Sequence, residues 1–160
     1  MFDIAPDTDL PKPLAYAALA RSAAALVEGE RDPVANMANL AALIWMSVPR
    51  LNWAGFYRAV DGELVLGPFI GKPACIRIPI GQGVCGTAAA GGATQLVQDV
   101  HAFPGHIACD AESRSELVVP VMVHGQVRAV IDLDSPELAR FDEEDAAGIE
   151  LVARVAATFL

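Results

Sequence analysis

The three cysteines, Cys75, Cys85 and Cys109, have the widest chemical reach of any residues in this chain. Cys75 stands beside Gly71-Lys72-Pro73, Cys85 lies among Gly81, Gly83 and Gly86, and Cys109 sits in a stretch without periodicity. A free thiol in a protein core usually behaves as a small hydrophobe. Thiols at element edges and in loops permit a relay instead, in which one thiol reduces a substrate and another resolves the product as a disulfide. Their odd number argues against simple structural pairing. A metal site is the competing reading, because His101, His106 and Cys109 could be presented by one loop and zinc accepts Cys and His together. No Cys-x-x-Cys pair accompanies them and no fourth ligand is marked, so loop hydrogen bonding is the favoured role of the histidines. Neither a metal nor a cofactor is expected.

Carboxylates form a second constellation. Glu116 opens an otherwise apolar run, and Asp132-Leu133-Asp134 closes another behind Val130-Ile131. Residues two apart on a strand point to the same face, so Asp132 and Asp134 are expected to be directed at one site. Close carboxylates raise each other's pKa, which keeps one protonated near neutrality and able to donate to an oxyanion. Trp53, Phe56 and Tyr57 are the third group. On a strand Trp53 and Tyr57 share a face, with Gly55 between them offering space; this suits either core packing or an aromatic wall around a small ligand.

These residues need elements to hold them. Pro6, Pro11 and Pro13 mark residues 1–13 as an irregular arm, followed by a helix over 14–28 that Gly29 stops. Asp32-Pro33 reads as an N-cap with proline in the first turn of a second helix, which Pro49 ends. Residues 53–60 and 63–67 read as strands joined by Asp61-Gly62, a hairpin signal. Residues 75–79 alternate like a third strand, 84–90 suit a short helix, and 94–97 a short strand. Residues 98–114 lack periodicity and read as a functional loop. Residues 116–123 and 127–133 pair through the turn His124-Gly125-Gln126, and Asp142 starts the last helix, its acidic first turn suited to the dipole. The order predicts an α+β fold: an antiparallel sheet flanked by helices, as one domain over residues 14–160.

Composition sets the outer limits. With 160 residues, 54% of them hydrophobic, and a formal charge of −9, the chain can fill one core and is poorly suited to nucleic acid or an anionic membrane surface. The N-terminal residues lack the basic start and apolar run of a signal peptide, so a reducing cytoplasm is the expected location. A homodimer is compatible with the sequence.

The segments Asn52-Trp53-Ala54-Gly55-Phe56-Tyr57, Leu66-Gly67-Pro68-Phe69, Gly71-Lys72-Pro73-Ala74-Cys75, Gly83-Val84-Cys85-Gly86-Thr87-Ala88, Ser115-Glu116 and Ile131-Asp132-Leu133-Asp134-Ser135-Pro136 resemble those of the free methionine-(R)-sulfoxide reductases, as does the whole run from Asp99 to Asp110. The resemblance extends from about residue 14 to the end and implies a GAF-like fold. It implies reduction of free L-methionine-(R)-sulfoxide, with thioredoxin as reductant. By the same resemblance Cys109 is the nucleophile, Cys75 the resolving cysteine and Cys85 a further participant in disulfide exchange. Trp53, Tyr57, Glu116, Asp132 and Asp134 become substrate contacts. The competing expectation is a GAF sensor, for whose output domain 160 residues leave no room.

Overall fold

Residues 10–105 and 111–160 are described in a computed structural model of the chain. The helices are α1 (Lys12–Val27), α2 (Pro33–Ser47), α3 (Gly83–Gly91) and α4 (Glu143–Ala156). The strands are β1 (Trp53–Val60), β2 (Glu63–Gly71), β3 (Arg77–Pro79), β4 (Gln95–Val97), β5 (Ser115–Val123) and β6 (Gln126–Ser135), joined in one sheet of order β3-β2-β1-β6-β5-β4. Adjacent strands all pair antiparallel. This is the α+β antiparallel sheet flanked by helices that the sequence predicts.

Local chemistry explains the boundaries. Asp32 Oδ1 accepts from the backbone N–H groups of Val34 and Ala35, both at 2.9 Å, and Pro33 fills the first helical position, where no N–H is needed. At α4, Asp142 and Asp145 cap each other reciprocally. Both hairpins turn on two residues of positive φ, Asp61-Gly62 and His124-Gly125, whose twist matches the flanking strands.

Several boundaries differ from the sequence reading. Helix α1 begins at Lys12, inside the segment expected to be irregular, because Pro13 is tolerated in a first turn. Strand β2 runs on to Gly71, since its end pairs with the start of β1. Strand β3 begins only at Arg77, so Cys75 and Ile76 belong to the β2–β3 loop rather than to a strand. Among its described residues the expected loop over 98–114 contains a 3-10 turn at Val100–Ala102, and residues 106–110 lie outside the described residues.

The pleat sorts side chains between two cores. Ala54, Phe56, Ile131, Leu133, Leu117 and Val119 face α1, α2 and α4. Trp53, Tyr57, Val130 and Val118 face the opposite way, against Ile78 and the α3 residues Val84, Cys85 and Ala88. One buried ionic network ties the helical layer together. Asp145 accepts from Tyr16 Oη at 2.7 Å, Lys12 Nζ at 2.7 Å and Arg140 at 3.1 Å. Among the described residues no helix is long and apolar enough to cross a membrane.

Candidate active site on the α3 face of the sheet

Register builds the site. Trp53 pairs with Asp134 and Gly55 with Asp132 across β1 and β6, while Glu116 pairs with Asp134 and Val118 with Asp132 across β5 and β6. Directly opposed residues point to one face. Trp53, Asp134 and Glu116 therefore form one row, and Gly55, Asp132 and Val118 the next. The expected sharing of a face by Asp132 and Asp134 is observed, and the sheet adds Glu116 and the two aromatics to it.

Cys85 reaches this face from the first turn of α3. Gly86 allows the approach: a Cβ there would lie 2.5 Å from the carbonyl oxygen of Pro79. Gly86 thus lets the chain close on itself beside Cys85. The Cys85 Sγ lies 4.0 Å from Glu116 Oε1, and one ligand-type atom from each of Cys85, Glu116 and Asp132 falls within 4.8 Å of the others.

Electrostatics follow from this crowding. Burial, then the neighbouring charges of Asp132 and Asp134, pushes the Glu116 carboxyl well above its ordinary range. Burial likewise raises Asp132, to about 7, against hydrogen bonds from Cys85 and Glu116 that lower it. The Cys85 thiol is pushed well up, first by burial and then by Asp132 and Glu116. The cluster holds at least one proton near neutrality, as paired carboxyls must when water is excluded. Asp132 Oδ1 is buried and accepts no hydrogen bond from the described residues.

The aromatic wall differs in one respect from expectation. The space beside Gly55 is occupied by Phe69, since a Cβ on Gly55 would lie 2.4 Å from Phe69 Cβ. Phe69 stacks on Trp53 with centroids 5.2 Å apart, and Trp53 in turn stacks on Tyr57 at 5.9 Å. The wall therefore has three rings, and the signal for the third was the β1–β2 hairpin register. Gly55→Ala is expected to cost about 1–3 kcal/mol, because overpacking at the strand crossing pushes Phe69 away and releases Trp53. Urea unfolding with the near-ultraviolet circular dichroism of the aromatics measures this; an unchanged midpoint and spectrum would contradict it.

The β2–β3 loop covers the wall. Trp53 Nε1 donates to the Lys72 carbonyl at 3.2 Å, and the Tyr57 hydroxyl donates to the Cys75 carbonyl at 3.0 Å. Cys75 is half-buried there. Lys72 Nζ pairs at 2.6 Å with Glu112, which follows Cys109 by three residues. Both partners are exposed, so the pair is worth little energetically but links the two loops. Trp53, Tyr57, Lys72, Pro73, Ala74, Asp132 and Asp134 enclose about 10 Å³, room for about one water. Larger clefts, of about 550 and 660 Å³, lie by Thr94, Met122 and Arg154 and by Arg31, His124 and Phe159. Neither is lined by a cysteine or by the acidic cluster.

Cys109 and His106 lie outside the described residues. His101 is exposed in the 3-10 turn, where its backbone N–H donates to Asp99.

Comparison with known proteins extends the geometry. A GAF-domain family model matches residues 40–160. The chain is 51% identical over 141 residues to the free methionine-R-sulfoxide reductase of Escherichia coli, spanning 88% of this chain and 86% of that protein. It is 44% identical to the Saccharomyces cerevisiae protein of the same name over 138 residues, spanning 81% and 77% respectively. Among solved structures, the Neisseria meningitidis free methionine-R-sulfoxide reductase in complex with its substrate superposes with a TM-score of 0.90 at 43% identity, covering 95% of this chain and 92% of that one.

Proposed function

Because the chain belongs to the free methionine-R-sulfoxide reductase family of GAF-domain enzymes, we propose that it reduces free L-methionine-(R)-sulfoxide to L-methionine through a cysteine sulfenic acid and a disulfide that thioredoxin reduces. The observation that carries the reading is the acidic cluster of buried Glu116 and Asp132 with half-buried Asp134 beside the Trp53–Tyr57 wall, at the edge of the loop that holds Cys75.

The chemistry runs in three balanced steps. The Cys109 thiolate attacks the sulfoxide sulfur while Asp132 protonates the oxygen, and methionine leaves as Cys109 becomes a sulfenic acid. The Cys75 thiol attacks that sulfenic sulfur, releasing water and forming the Cys75–Cys109 disulfide. Thioredoxin then exchanges its dithiol for the disulfide. Glu116 and Asp134 hold the ammonium group, which selects a free amino acid over a residue in a chain. Trp53 covers the S-methyl group, with Tyr57 behind it. Cys85, buried with a raised pKa, is a poor nucleophile as placed.

Turnover of free R, free S and N-acetylated methionine sulfoxides, coupled through thioredoxin and its reductase to NADPH oxidation, tests the reading. Only the free R isomer should turn over. Comparable use of the acetylated compound would remove the ammonium site. Glu116→Gln should raise KM about tenfold with kcat less affected, the loss of one charged hydrogen bond. An unchanged KM would move the ammonium group elsewhere.

A further inference from the structure

The trio of Cys85, Glu116 and Asp132 also has the composition of a metal site. It is not the set of His101, His106 and Cys109 that sequence spacing suggests. Its ligand atoms lie within 4.8 Å of one another, and all three residues are buried. They come from α3, β5 and β6, so packed elements rather than a loop set their separation. The buried Asp132 Oδ1, lacking a hydrogen bond from any described residue, supplies an acceptor in need of a cation.

One sulfur and two carboxylate oxygens match zinc, which accepts mixed sulfur and oxygen donors. Magnesium and calcium require more ligands, all of them oxygen. Zinc bonds of about 2.3 Å to sulfur and about 2.0–2.2 Å to oxygen would place the three donors roughly 3.5 Å apart. The Cys85–Glu116 separation of 4.0 Å is close to that. A three-ligand set leaves a fourth position for water.

We propose that Cys85, Glu116 and Asp132 form a zinc(II) site whose occupation shuts the substrate pocket, making the ion a competitive inhibitor rather than a cofactor. Binding forms one Zn–S and two Zn–O bonds and releases the thiol proton and any carboxyl proton to solvent; nothing is oxidised. Competition rests on the proposed ammonium site, because the same carboxylates cannot hold both cations. The metal site itself does not rest on it.

Cobalt(II), which reports thiolate ligation by a sulfur-to-metal charge-transfer band, is the direct probe. In the full chain carrying Cys75→Ser and Cys109→Ser, Cys85 is the only thiol. One equivalent of cobalt should produce the band, and zinc should abolish it. Adding Cys85→Ser should remove it, and Glu116→Gln should weaken cobalt binding about tenfold or more. A band that survives Cys85→Ser, or no band in the double variant, overturns the site. Alkylation of Cys85 in the double variant keeps the test independent of whether Cys85→Ser folds: zinc should slow it, and an equal rate overturns the proposal. With wild-type protein, zinc should raise KM for methionine sulfoxide and leave kcat unchanged; a fall in kcat alone overturns the competition. Absence of turnover without metal would count against the proposed function, while the cobalt band would still decide the metal site.

Discussion

Cys109→Ser is expected to release no methionine, even in a single turnover with stoichiometric substrate. A serine hydroxyl stays protonated near neutrality, and oxygen transfer to it would not yield a sulfenic acid that a second thiol could reduce. The other thiols are poor substitutes. Cys85 is held protonated by burial beside Asp132 and Glu116. Cys75 is fixed through its own carbonyl to Tyr57 as the proposed resolving partner. Cys75→Ser should therefore keep its first turnover and lose recycling by thioredoxin. Quenched-flow measurement of methionine in the absence of reductant separates the two variants. A full first equivalent from Cys109→Ser would transfer the nucleophile's role to another thiol.

Asp132→Asn should slow the first turnover by roughly 10²–10⁴-fold, the usual range for a positioned general acid. An amide of the same shape fills the same place in the sheet but has no proton of comparable acidity. The pH profile distinguishes this from a packing defect. With Asp132 raised to about 7, the wild-type rate should fall as pH rises above that value, and this limb should be missing from the variant. Stability should respond as well. A carboxyl raised from 3.8 to about 7 favours the folded state fully below the lower value and loses that contribution as pH rises to the upper one. Wild type therefore weakens over this window, and Asp132→Asn does not. The melting temperature of the variant relative to wild type should be higher at about pH 8 than at about pH 5. A near-normal first turnover with an unchanged pH limb would place the proton donor elsewhere.

The sequence by itself determined the helices, the two hairpins and the shared face of Asp132 and Asp134. Its information there is local. Asp32-Pro33 can only start a helix cheaply, Asp61-Gly62 tolerates the positive φ of the tight turn, and strand alternation puts Asp132 and Asp134 on one face whatever lies opposite. Tertiary structure decided what stands across the gap. Which of Trp53, Gly55 or Tyr57 meets each aspartate depends on the pairing of β1 with β6, strands separated by 65 residues of intervening chain. No local pattern encodes that register; the packing of Phe56, Ile131 and Leu133 against the helical layer does, since a one-residue slip would exchange them with the residues that face α3. The same non-local packing put Phe69 into the space beside Gly55, left Cys75 in a loop before β3, and brought Cys85 against Glu116. The raised pKa values belong to this second level. Each carboxyl is ordinary in the chain, and only dehydration beside its neighbours keeps a proton on the cluster near neutrality.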